Sequence, residues 1–580
     1  MPNPNPCRPT FWPAILLSAW PLAASAADPL RITSLVRCGD LLDTRSHEFC
    51  LRLDGRGAGE FAVILGGETL TDGAVAEADG TLSLMLDRGV YRSGPVRVKQ
   101  AGRQSNPVWL SMQDSATIAA GAAEVARNSD GITTYVDLVS ILVEEAFDAQ
   151  TEARRLAERY GAEIVGSVPP LRVYQLRLPV DDLVHRDALV LRLNGEESVD
   201  SVIVEESSAE EGADALAGRG WAEEVAANRF MDAVDYYRRR IPGPSQAEIV
   251  PAPVVIGIIE RAVDFDAPGF ADPAPPGERT LKLYARDADD PSGHGSAVAA
   301  VVAANWDGGG IQGFLRSLDG HHAGIDVIVD RGSDAGVIAN VATSVRLVQD
   351  GARVLNWSWG IHRVGATSVS GRSIDSVVRS GVAFEGYEEL LEEFFKWLRR
   401  EHPDVMVVNS AGNADHYSES DDYRLPSSFL TPQLLVVGAH QRSVADVAVE
   451  SPRFVTGRGS SNIGERVDIT AAGCVPRSAP GADDLRCGTS YSTALVTALV
   501  GAMLTINPAL TPDDIRTLLR QAALPVGGDV DFEPADTEDL TAPILPSERA
   551  ELLDDPDVGR SARLDMREAL VLAVRSLAEG

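Results

Sequence analysis

At 580 residues the chain is too long for one hydrophobic core, and a soft prior of about 150 residues per unit divides it into three or four. Its 44% hydrophobic and 24% charged residues are ordinary globular values and exclude a wholly disordered chain. With 52 Lys and Arg against 85 Asp and Glu the formal charge is −33, which argues against nucleic-acid binding and against a polybasic membrane anchor.

Residues 1–26 read as a secretory signal. An apolar run, 11–24, follows a start whose one charged side chain is Arg8, and it closes on the small-x-small pattern Ala24-Ser25-Ala26. Cleavage after Ala26 and a secreted or periplasmic location are expected, with no integral membrane segment once the signal is gone. Removal takes Cys7 away and leaves two local pairs, Cys38 with Cys50 and Cys474 with Cys487. In an oxidising compartment these predict two short-loop disulfides, with buried thiols as the alternative. Neither pair has the spacing or the neighbouring histidines of a zinc site.

Residues 27–115 carry short alternating segments between Gly, Asp and Asn turns, among them Phe61-Ala-Val-Ile-Leu, Leu82-Ser-Leu-Met-Leu, Val96-Arg-Val-Lys and Val108-Trp-Leu. This spacing predicts a small antiparallel β-sandwich. Its end, 94–110, resembles the close of an IPT/TIG immunoglobulin-like domain, which implies a positioning module or a spacer. The stretch 131–206 predicts a β-α-β-β-α-β order, the ferredoxin-like α+β arrangement: a strand from Tyr135, a helix through Ala153, Leu156, Ala157 and Tyr160 stopped by Gly161, two strands, a helix over 187–193, and a last strand at 199–204. In the second of the paired strands Tyr174, Leu176 and Leu178 alternate to one face. Residues 207–252 read as a connector, and the triplet Arg238-Arg239-Arg240 suits either a processing site or the cation-favouring end of a helix.

From Val254 onward the signals change character. Val254-Val-Ile-Gly-Ile-Ile is a fully apolar run that ends in acid: Glu260, with Asp264 and Asp266 beyond. Gly293-His294-Gly-Ser leads into an apolar helix; Val354-Leu-Asn-Trp-Ser358-Trp359-Gly360 and Val405-Met-Val-Val-Asn-Ser-Ala411-Gly412-Asn413 are strands ending in small polar residues; Gly488-Thr489-Ser490 opens a further apolar helix. In a parallel α/β sheet, strand C-termini and helix N-termini gather at one edge, where ligands bind.

These motifs, in this order, are similar to the subtilisin-like serine proteases, and 253–580 is identified as a subtilisin-like parallel-sheet catalytic domain. The resemblance implies a nucleophile at Ser490, its general base at His294, the triad acid at Glu260, and an oxyanion donor at Asn413 aided by the Ser490 amide. It implies a primary specificity pocket flanked by Ser358, Trp359 and Gly360 on one side and Ala411 and Gly412 on the other. It further implies that 131–206 is the family's propeptide, an intramolecular chaperone and inhibitor of a zymogen. The expected function is a secreted or periplasmic serine endopeptidase acting on polypeptides, with no cofactor and no obligatory metal. The alternative is a catalytically degenerate domain kept as a binding or structural module. Four positions depart from the family: Glu260, followed by Arg261-Ala262, stands where Asp is usual; Ser492 replaces an Ala; the usual Pro is missing near Leu495; and Trp359 replaces a Leu beside the pocket. His321, His322 and His416 have no partner pattern and read as surface residues.

Overall fold

The computed structural model describes residues 29–578 except several short stretches and the longer segments 207–213, 242–248, 271–279, 363–380, 415–423, 477–483 and 527–561. The proposed signal therefore lies outside the described residues.

The N-terminal strands form two antiparallel sheets. Arg31–Cys38, Ser46–Asp54, Leu82–Asp87 and Ala74–Ala76 make one; Ala62–Leu65, Gly94–Gln100 and Val108–Leu110 belong to the other. Alternate residues of both sheets (Ile32, Leu51, Leu84, Val63, Val96 and Val98) meet in one core. The four segments read as strands from their alternation all pair as strands, and Cys38 is disulfide-bonded to Cys50 across the first hairpin.

Next comes β1 (Thr133–Val143), α1 (Ala149–Tyr160), β2 (Glu163–Val168), β3 (Val173–Arg177), α2 (Leu183–Asn194) and β4 (Val199–Glu206). The sheet order is β2-β3-β1-β4, all antiparallel, as the β-α-β-β-α-β reading requires. The Asp148 side chain accepts from the Thr151 amide to start α1, and Gly161, left-handed at φ 65°, ends it. α2 begins at Leu183, earlier than its apolar pattern suggested, because Asp182 caps it. Tyr174, Leu176 and Leu178 do share a core with the two helices. The opposite face is also covered: Leu142, Val168, Leu171, Val173 and Ile203 pack into the core of the large α/β unit.

The stretch read as a connector is more than that. After β5 (Asp214–Ala217), helices α3 (Trp221–Ala226) and α4 (Phe230–Arg240) place Trp221, Val225, Phe230, Val234 and Tyr237 in the main hydrophobic core, where the Tyr237 hydroxyl meets Thr505 Oγ1 at 2.6 Å. The three arginines form the last turn of α4, where the helix dipole favours cations.

The remainder builds a 10-stranded sheet. In chain order its labelled elements are β6 (Val254–Ile258), β7 (Leu281–Ala285), α5 (His294–Ala303), β8 (Ile325–Val329), α6 (Gly336–Gln349), β9 (Ala352–Trp357), β10 (Ile361–His362), α7 (Gly381–Glu401), β11 (Met406–Ser410), β12 (Arg424–Leu425), β13 (Leu434–Arg442), β14 (Ile469–Ala472), β15 (Cys474–Pro476), β16 (Asp484–Cys487) and α8 (Thr489–Ile506); β10 and β12 pair with each other, as do β15 and β16, outside the large sheet. The sheet order is β7-β8-β6-β9-β11-β13-β14, parallel throughout, with Ala562–Arg563 continuing it in parallel. The first strand sits mid-sheet; the chain runs to one edge, then crosses to the other side of β6, so the switch in direction lies at β6 and β9. α8 is apolar and long enough to cross a membrane, yet every residue is buried inside the protein.

α6 and α7 cover the sheet face on which the β1–β4 unit sits. Gly386 of α7 allows that approach, because a Cβ there would lie 3.1 Å from Ile203 Cα and from Val202 O. β4 ends in a polar lock. Glu205 Oε1 accepts from the Ile338 amide at 2.8 Å and Oε2 from the Tyr387 hydroxyl at 3.0 Å, with Val337 N 3.3 Å away, so an anion sits on the first turn of α6.

Candidate active site

At the C-terminal end of β6 the chain turns sharply, with the Glu260 amide donating to Ile258 O at 3.1 Å. The Glu260 carboxylate then meets the first residue of α5: Oε1 lies 2.8 Å from His294 Nδ1. The acid side chain is 13% exposed and the imidazole 22%, so the acid is sheltered and the base can be reached. Gly295 makes this contact possible, since a Cβ there would stand 2.8 Å from Ala262 O and 3.2 Å from Glu260 Cβ. Asp264, the rival acid, instead accepts from the Asp266 amide at 2.9 Å.

Ser490 is the second residue of α8, after Gly488 at the N-cap, so its amide is one of those a helix start leaves for a ligand. Its side chain is nearly buried at 6% exposure. Oγ reaches toward Ser358 O at 3.5 Å, the outer limit of a hydrogen bond, and Ser358 Oγ donates to Ser490 O at 3.3 Å. The His294 ring lies beside that of Tyr491, the next residue, with centroids 5.8 Å apart. Asn413 is oriented by its neighbour: Oδ1 accepts from the Thr489 amide at 2.9 Å and the Thr489 hydroxyl at 3.2 Å. Glu260, His294, Asn413 and Ser490 thus converge on one edge of the sheet.

The flanking strands are pinned from below. Asn409 Nδ2 donates to Trp357 O at 2.8 Å and Trp359 O at 2.9 Å, while Asn356 Nδ2 donates to Ser358 Oγ at 2.8 Å. Asn462 Nδ2 donates to Ala411 O at 2.8 Å, and the amide of Gly412, left-handed at φ 102°, donates to Thr489 Oγ1 at 3.2 Å. Trp359 packs at a tilt against buried Trp357, with ring centroids 4.9 Å apart, and against the α6–α7 core. Cys474, opposite Cys487 in the β15–β16 ladder, is bonded to it just before the serine turn.

Against known families, residues 254–549 match the Subtilase family of peptidases (Peptidase_S8). The chain belongs to the subtilase family. No curated protein matches the chain significantly. Among solved structures it is similar to fervidolysin from Fervidobacterium pennivorans, a keratinolytic enzyme related to subtilisin, at 16% identity over 72% of this chain and 63% of that one, with a TM-score of 0.45. It is also similar to the epidermin leader peptide processing serine protease of Staphylococcus aureus, at 14% identity over 76% and 98%, TM-score 0.45. The A-subunit of the AB5 toxin from E. coli matches at 17% identity over 60% and 99%, TM-score 0.35.

Within this subtilase fold three groups carry structure that the sequence alone did not flag: Asn409, Asn462 and Arg424. Each bonds a segment distant in sequence, so no local spacing marks it. His321 is not a plain surface residue; it is half-buried, with Nδ1 2.8 Å from Ile241 O. His322 and His416 lie outside the described residues.

Proposed function

We propose that this subtilase is a secreted or periplasmic serine endopeptidase, made as a zymogen, with Glu260, His294 and Ser490 as its triad. The observation that carries the reading is the 2.8 Å contact between Glu260 and His294 Nδ1, on the sheet edge where Ser490 opens a buried helix. The acid fixes the imidazole with its proton on Nδ1 and stabilises the imidazolium, so Nε2 is the basic nitrogen. Ser490 Oγ attacks the peptide carbonyl carbon while His294 takes its proton. The oxyanion is met by Asn413 Nδ2 and the Ser490 amide. His294 then protonates the leaving amine as the C–N bond breaks, and water, deprotonated by His294, hydrolyses the acyl-Ser490 ester.

The β1–β4 unit serves as propeptide in this account. Its sheet covers α6 and α7, and Glu205 occupies the α6 N-terminus. Because α3 and α4 belong to the main core, the cut that frees the enzyme falls before them, within 207–213. A fluorophosphonate probe is expected to label Ser490 in processed protein and to leave Ser490→Ala unlabelled. Ser490→Ala, once its signal is removed, should stay full length. Absence of labelling in processed wild type, or normal cutting of Ser490→Ala in a protease-free background, overturns the reading.

A further inference from the structure

The serine turn is preceded by a three-stranded antiparallel sheet in the order β5-β16-β15. Its inner pair is fixed covalently, with Cys474 bonded to Cys487 across it. The outer strand, β5, comes from far away in the sequence. Asp214 stands opposite Cys487, Ala215 opposite Arg486, Leu216 opposite Leu485 and Ala217 opposite Asp484. β16 runs toward Ser490, which lies three residues past Cys487 as the second residue of α8. β5 runs the other way, so its register places Asp214 at the serine end of the ladder and Ala217 at the far end.

Both neighbours of this strand are anchored. Upstream, β4 ends with the Glu206 amide donating to the Tyr387 hydroxyl at 2.9 Å. Downstream, Trp221 opens α3 in the main core, 2% exposed, with Nε1 donating to Gln312 O at 3.1 Å. A chain cut before Asp214 therefore keeps, on its amine side, a tethered strand that leads away from Ser490 along β16.

We propose that β5 stays on β16 after the processing cut and sets leaving-group specificity, by holding the edge where substrate residues beyond the cut bond would pair. The inference rests on the peptidase reading above and on a cut within 207–213. In that cut the residues following the scissile bond lead into β5, so the protein's own chain is laid on this edge as a leaving segment. A polypeptide substrate has the same polarity: its acyl part precedes the bond and its leaving part follows. Strand edges recruit extended chains through backbone N–H and C=O groups, largely whatever the side chains. The other edge of β16 belongs to β15, so one site remains for two claimants. Tethering decides between them. The link to α3 keeps β5 at a high local concentration that dilution does not lower. A substrate with a small leaving group avoids the contest, whereas a longer one must first peel β5 away.

The test uses two substrates with one acyl sequence, the first ending in a p-nitroanilide and the second continuing past the bond as a quenched fluorescent peptide. The variant is Ala215→Pro/Leu216→Pro. Neighbouring residues of an antiparallel strand alternate in which amide faces the partner, and proline has none, so the pair removes a ladder bond in either phase. In processed protein the kcat/KM ratio of extended to anilide substrate should rise at least ~10-fold in the variant, the scale of one or two such bonds. The ratio is read within each protein, so a lower yield of active variant cancels. Wild type supplies a second reading should the variant not fold. Its 214–217 amides should be protected from hydrogen exchange after processing, and should lose that protection when a peptidyl α-ketoamide extending beyond its ketone is bound. An unchanged or lower ratio, protection kept with that inhibitor bound, or a mature N-terminus beyond Ala217 overturns the role of β5 alone. No Ser490 labelling by the fluorophosphonate in processed protein overturns the peptidase reading and the role of β5 with it.

Discussion

Glu260 carries one methylene more than an aspartate would, and its surroundings show how the longer acid is housed. The chain turns immediately at residue 260, and Gly295 lets α5 close on the turn, so the carboxylate still reaches His294 Nδ1 at 2.8 Å. Glu260→Gln should keep the fold and lower peptide turnover on the order of 10³- to 10⁴-fold, because the amide supports the wrong tautomer and no imidazolium. Asp264→Asn should cost far less, as its carboxylate serves a local turn; equal losses in the two variants would remove Glu260 from the triad. Motif order made Glu260, His294, Ser490 and Asn413 legible in the sequence. Arg424 was not legible, because its bonds to Ser410 and Ser427 form only once β12 lies beside the end of β11. A second residue gives a pH prediction. His440, buried in β13, is held well below the usual histidine pKa by desolvation and then by nearby Arg563. Thr470 spends its proton on Ala562 O, so His440 Nδ1 must carry one to donate to it, at 3.0 Å, while Nε2 has no partner among the described residues. Below pH about 6.5 the unfolded chain binds a proton there that the native state does not. Stability is then lost as pH falls, by about 1 kcal/mol per pH unit from this group until its depressed native pKa is reached. Denaturant titrations from pH 7 to 5 should show this slope, and His440→Gln should remove it.

Among the elements, β4 carries the most consequence, since it joins two cores and ends on a helix dipole. Glu205→Ala would leave the α6 amides and the Tyr387 hydroxyl without their carboxylate, at a cost of about 2–3 kcal/mol. In uncut Ser490→Ala protein, the first unfolding transition in urea should move by that amount, and an unchanged midpoint would deny the lock any energetic role. Alternation and helix stops made the β1–β4 order readable, down to Gly161. The covering of its second face was unreadable, because Val173 and Ile203 find their partners on α6 and α7, more than a hundred residues away. The same reason explains the misreading of 207–252 as a connector: an amphipathic helix announces a buried stripe but not the core that receives it.

At the scale of the whole molecule, the N-terminal sandwich is bound to the peptidase unit at several points. Asp350, just past α6, accepts from Ser93 Oγ at 2.6 Å, Gln113 Nε2 at 2.8 Å and Trp109 Nε1 at 2.9 Å. Buried Asn106 donates to Ile32 O at 3.1 Å and Ala285 O at 2.9 Å, tying the edge of the large sheet to the sandwich. After the cut in 207–213, the fragment holding the sandwich and β1–β4 should therefore co-elute with the enzyme. Asp350→Ala should weaken that association by about 2 kcal/mol, read as faster fragment release in dilution experiments; identical release rates would assign the association to the β1–β4 face alone. That face has a further side. Once the fragment does leave, apolar groups of the α6–α7 core that packed with Ile203 are turned to water, an uncovered patch of the kind that makes proteins self-associate. The liberated enzyme would then be the less soluble partner of the pair. Its losses on storage should rise with its own concentration and with salting-out ions, and fall when the fragment is added back.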